Sequence, residues 1–151
     1  MAESELYKTI KSKAVEYLAN KGYHVARHEV RDSYYGIIDA WGIRPAELYT
    51  MGIEVKVSRS DWLAAKFKDR KCEMTRECRD GKLEWTGTNE LYYACPAGLI
   101  QPDEVSQSMG LLWYNANGRF VNKKKPYFLK VGLYTKMQTL LSIYEPFFSV
   151  Y

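Results

Sequence analysis

Three charged residues of this 151-residue chain sit where charge is least expected. Asp39, Glu54 and Lys56 fall inside "IIDAWGI" (37–43) and "GIEVKV" (52–57), segments that otherwise read as apolar strands. Charges in strand interiors are solvated, paired or functional. Side chains alternate along a strand, so Ile53, Val55 and Val57 share one face, and Gly52, Glu54 and Lys56 share the other. On the preceding strand the same alternation puts Ile38 and Ala40 with the apolar set, and Ile37, Asp39 and Trp41 opposite. A hairpin centred between Ala46 and Glu47 sets Asp39 directly across from Glu54. Cβ atoms so placed lie about 4.5–5.5 Å apart, and like charges there are destabilising. A divalent cation between the carboxylates offsets that repulsion, and Mg²⁺ takes one or two carboxylates together with waters and phosphate oxygens. Lys56 is then placed to neutralise a phosphate or orient a water. The competing reading is a solvated sheet face on which Glu54 and Lys56 are surface charges; a register slip of one residue would favour it.

The elements that must position these residues follow from periodicity. Leu6, Tyr7, Ile10, Ala14, Tyr17 and Leu18 recur at helical spacing, which predicts a helix over 3–21 that stops at Gly22. "YHVARHEV" (23–30) reads as a strand, with His24 and His28 on one side of it as an exposed or hydrogen-bonded pair more readily than a metal pair. Residues 36–43 and 51–57 form the hairpin. "SRSDW" has the Ser-x-x-Asp form of a helix start, with Ser58 as the cap. Residues 91–98 and 110–115 are short strands, "RFVNKKKPYFLK" is an exposed basic connection, and residues 132–144 are a closing helix. The order α-β-β-β-α-β-β-α predicts one α/β domain, a central sheet flanked by helices.

With these residues in place a resemblance is visible. "IIDAWGI", a hairpin, and "GIEVKVSRSDW" resemble the PD-(D/E)XK nuclease pattern. More narrowly, "EVKVSRSDWLAAKFK", "NELYYACPAGLIQPDEV" and "GLLWY" are similar to the MmcB-like DNA-repair family of that superfamily, over roughly residues 10–115. The resemblance implies a single restriction-endonuclease-like core with a mixed sheet. It implies that Asp39 and Glu54 hold Mg²⁺ or Mn²⁺, with the Val55 carbonyl as a further ligand, and that Lys56 assists catalysis. Two departures stand out. The first helix carries Lys11 where many superfamily members have a Glu, while Glu5 and Glu16 fall opposite the apolar stripe. Residues 72–90 also read as an insertion.

Such a site hydrolyses phosphodiesters in DNA: water attacks phosphorus while fixed positive charge steadies the developing oxyanion. Phosphate contacts are expected from Arg59, Lys66, Lys68, Arg70 and Lys71, and Tyr35 is the aromatic expected at the site. Composition permits this partner without demanding it, because 22 Lys and Arg against 18 Asp and Glu leave only +4. The sequence shows no membrane-length apolar run, and the N-terminal segment lacks a signal-peptide core, so a cytoplasmic location is expected. Cys72, Cys78 and Cys95 are expected as reduced thiols, since their spacing fits no standard metal set. The apolar ending "YEPFFSVY" suits either a dimer contact or a tail folded onto its own sheet. Two other functions remain open at this point: a non-catalytic nucleic-acid-binding module of the same fold, and a metal-free interaction protein.

Overall fold

The structure is a computed structural model that describes residues 4–32, 36–65, 88–126, 136–141 and 143. Its first element, α1 (Glu5–Asn20), begins where Ser4 Oγ accepts the Tyr7 N–H at 3.1 Å. It ends at Gly22, whose φ of 91° lets Tyr23 N–H return to the Leu18 carbonyl at 3.1 Å. Six strands follow: β1 (Val25–Asp32), β2 (Gly36–Arg44), β3 (Tyr49–Val55), β4 (Glu90–Pro96), β5 (Gly110–Tyr114) and β6 (Phe120–Lys124). Two further helical segments are described, α2 (residues 59–65) and α3 (residues 136–141).

The sheet order is β1-β2-β3-β4-β5-β6. β1, β2 and β3 are antiparallel, β3, β4 and β5 are parallel, and β6 returns antiparallel to β5. The mixed α/β architecture is the expected one. Both faces of the sheet are buried, which explains why β3 and β4 read as continuous apolar runs. On one face Ile10, Ala14 and Leu18 of α1 pack with Ala40, Ile53, Val55, Tyr92, Ala94 and Leu112. On the other, Trp62 of α2 joins Ile100, Val105 and Met109 over Trp41, Leu91, Tyr93 and Leu111. Trp62 meets Tyr93 edge to face, ring centroids 4.9 Å apart.

Three expectations are corrected. The basic connection after β5 contains β6: Asn115 N–H bonds the Arg119 carbonyl at 2.8 Å, and the turn folds Phe120 onto Tyr114 and Tyr17. Lysines on an edge strand remain solvated, so the charge concealed the strand. Lys124 nonetheless donates to the Ser106 and Met109 carbonyls. Residues 88–90, expected in a polar loop or small hairpin, are tied into the sheet: Thr88 and Asn89 are buried, and Thr50 and Asn89 exchange two bonds of 2.9 Å. The rest of the expected insertion that bears on residues 72–87 lies outside the described residues, as do residues 144–151. Finally, β3 stops at Val55 rather than 57. Lys56 N–H still bonds Ala94 at 2.9 Å, but Pro96, the next residue of β4 whose backbone would face β3, has no N–H to answer it.

Parallel β4 and β5 approach closely at Gly110. A Cβ there would stand 2.4 Å from Tyr92 Cδ1 and 2.9 Å from Pro126 Cδ. Gly110→Ala is expected to destabilise the fold by about 1–3 kcal/mol. Urea denaturation would read this as a lower midpoint at unchanged slope.

Candidate functional site

The hairpin register is the expected one. Ala40 pairs with Ile53, so the next step along both strands sets Asp39 against Glu54. The backbone ladder ends at that step and side chains continue it. Asp39 N–H donates to Glu54 Oε1 at 2.9 Å, and Val55 N–H donates to Asp39 Oδ2 at 2.8 Å. Each carboxylate is thus anchored to the opposite strand. The Tyr7 hydroxyl on α1 donates to Asp39 Oδ1. Glu54 is buried, at 9% exposure, while Asp39 and Lys56 are half-buried.

Facing differs from the expected alternation. Ile38 packs in the cluster of Trp41, and Ala40 packs in that of α1, although both were expected on one face. Asp39, expected on the side of Trp41, takes its hydroxyl partner from α1 instead. The neighbouring strand is irregular at the same level. The β1–β2 pairing runs from His28↔Ala40 to Val30↔Ile38 and is interrupted between them, where Glu29 has the left-handed φ of 53°. Such a backbone is uncommon outside glycine and marks a local irregularity of the strand.

Glu29 has a partner the sequence did not disclose. Lys11, one turn after Tyr7 on α1, is buried at 8% exposure and holds Glu29 Oε1 at 2.9 Å. Its ammonium also lies 5.1 Å from the centre of the Tyr7 ring. The helix therefore brings a hydroxyl donor and a cation toward the carboxylates, where the nuclease pattern would have an acid. Glu5 and Glu16 lie away from the site, paired with Lys8 at 3.6 Å and Lys13 at 3.3 Å. The sole sequence signal for Tyr7 and Lys11 was their spacing, which puts both on one helix face.

The oxygen set suits a hard cation. Asp39 and Glu54 are carboxylates, and each oxygen that accepts one bond keeps a further lone pair. Lys56 N–H points to β4, so the N–H and C=O of Val55 point to β2, toward Asp39. Among the described residues no group of three or more His, Cys, Asp or Glu side chains is arranged to hold a metal. Two carboxylates with one carbonyl is a set Mg²⁺ completes with waters and phosphate.

Ser58 caps α2 as expected, its Oγ accepting the Asp61 N–H at 3.1 Å. Arg59 is committed elsewhere: its guanidinium makes two 2.8 Å bonds to Glu104 and a third, at 3.0 Å, to the Leu99 carbonyl. It clamps α2 to the connection between β4 and β5. Tyr35, Lys66, Lys68, Arg70 and Lys71 lie outside the described residues, as do Cys72 and Cys78. Cys95 is buried, and burial pushes its thiol up to about 11, so it remains protonated at neutral pH. His24 and His28 are exposed.

The chain matches no protein-family profile and no curated protein. A solved structure of a protein of unknown function from Silicibacter pomeroyi is similar at a TM-score of 0.69 and 17% identity, over 96% of this chain and 88% of that one. That likeness establishes the fold alone.

The Lys11 hydrogen bond and charge hold the Glu29 carboxyl below its ordinary value of 4.5. A depressed folded value means the pair stabilises the protein above the unfolded pKa, and that contribution is lost as pH falls through the lower folded value. NMR titration of the carboxyl carbons is expected to find Glu29 below its ordinary value in wild type and raised in Lys11→Met. An unchanged titration in Lys11→Met would dissociate the two residues.

Proposed function

We propose that this protein is a metal-dependent nuclease that hydrolyses phosphodiester bonds in DNA, acting in repair or processing, with Asp39, Glu54 and Lys56 as its working residues. The observation that carries the reading is the side-chain continuation of the β2–β3 ladder, which brings both carboxylates to one backbone gap with Lys56 two residues after Glu54. The nuclease resemblance of these segments supports the same reading. A cytoplasmic location belongs to the proposal. Among the described residues no helix is long and apolar enough to cross a membrane.

Asp39, Glu54 and the Val55 carbonyl would hold Mg²⁺ or Mn²⁺. Bound there, the cation supplies Lewis acidity, acidifying a water and drawing charge from a phosphoryl oxygen. Asp39 is fixed by Tyr7 and Val55, so its carboxylate meets substrate already oriented. Lys56 follows Glu54 at the end of β3, its backbone pinned to Ala94, and presents a cation to the scissile phosphate. Fixed charge of this kind stabilises the oxyanion that develops as water attacks.

A second reading, a nucleic-acid-binding module without catalysis, is favoured by one feature: a buried lysine stands on α1 where the resemblance implies an acid. Cleavage separates the two readings. With Mg²⁺ or Mn²⁺, wild type is expected to cut at least one of single-stranded, duplex, nicked or branched DNA. Asp39→Asn and Lys56→Ala are each expected to lose about 100-fold or more in rate. The metal should raise the melting temperature of wild type and Lys56→Ala but leave Asp39→Asn unmoved, since a ligand stabilises only the state that binds it. Intact cleavage in Asp39→Asn would remove the site. Binding without cleavage by wild type would select the module.

A further inference from the structure

A second surface lies one strand away from the carboxylate pair. Residues of β1, the tip of β2 and the C-terminal helical segment enclose a groove of about 350 Å³ lined by Arg27, His28, Glu29, Arg31, Ile37 and Ile143. We propose that this groove is the track on which the phosphodiester backbone of a DNA strand lies as it approaches Asp39 and Glu54. The inference rests on the nuclease reading and extends it, because it assigns the substrate's path to β1 rather than to the segment after Ser58.

Charge, position and the open strand edge support it. Arg27 and Arg31 are exposed and make no ion pair with a described residue; the Arg27 guanidinium bonds only the neighbouring Ala26 carbonyl, at 3.0 Å. Both arginines line the groove, on either side of Glu29, and offer it two phosphate contacts. The one acid lining the groove, Glu29, is already neutralised by Lys11, so the surface presents net positive charge to an anion. The position also suits the chemistry. Glu29 stands at the interruption opposite Asp39, and Ile37, two residues before Asp39 and 54% exposed, forms part of the groove wall. An exposed isoleucine beside arginines is a surface that can meet a sugar or base while the guanidinium groups hold phosphate. In the described sheet β1 pairs with β2 alone, so its outer edge is a further source of N–H donors. Arg59, one of the five cations expected from sequence to bind phosphate, is occupied by Glu104.

The test is fluorescence anisotropy of a labelled oligonucleotide, single-stranded and duplex, across a salt series and with Ca²⁺ in place of Mg²⁺ to hold off cleavage. The full-length Arg27→Ser/Arg31→Ser protein is compared with wild type and with Lys8→Ser/Lys13→Ser. The control removes the same net charge from lysines that are ion-paired on the surface of α1. Arg27→Ser/Arg31→Ser is expected to bind at least about tenfold more weakly, and its log K against log salt slope to fall by about 1.4–1.8, two phosphate contacts. The control should keep the wild-type slope. Arg31→Ser alone, with half the change in slope, serves if the double variant melts early. Equal weakening in both double variants, or wild-type affinity in the arginine variant, overturns the groove while leaving the nuclease reading in place. Absence of wild-type binding to either DNA overturns both.

Discussion

Everything at the candidate site depends on where the β2–β3 ladder stops. Backbone pairing ends at Ala40 and Ile53, and beyond it the amides of Asp39 and Val55 would be left without partners inside a protein. Unpaired buried amides are costly, of the order of 1–3 kcal/mol each. The two carboxylates remove that cost by accepting those N–H groups across the gap. Asp39 and Glu54 are therefore structural residues whatever else they do: the bonds that close the sheet also hold two acids side by side.

That arrangement alters the meaning of the charge repulsion. Opposed carboxylates on bare strands would require a cation. Here two amides and the Tyr7 hydroxyl already donate to the two carboxylates. The site is consequently pre-formed, and a cation would enter oriented oxygens rather than assemble them. The same helix that packs Ile10, Ala14 and Leu18 into the core delivers Tyr7 and Lys11, so core packing sets the site's geometry.

Much of this was legible in sequence because it follows from short-range rules. Turn length set the hairpin register, the Ser58 cap marked the start of α2, and apolar spacing marked α1. The features that were not legible are tertiary. Glu29 adopts a left-handed backbone that no residue type announces, and beside it β2 departs from the alternation that assigned Ile38 and Asp39 their faces. Lys11 looked like a missing acid because its partner lies 18 residues away on β1. Arg59 looked like a phosphate contact because Glu104, its partner, lies 45 residues further along the chain. β6 was obscured because solvated lysines on an edge strand carry no apolar period.

The central claim is that the gap between β2 and β3 is a cation site built from Asp39 and Glu54. Anomalous diffraction from crystals of the protein soaked in Mn²⁺ tests it most directly. The account predicts a Mn²⁺ peak within coordinating distance of both carboxylates and of the Val55 carbonyl, absent in Asp39→Asn. Ordered Asp39 and Glu54 side chains with no peak between them, or a peak that persists in Asp39→Asn, would contradict it.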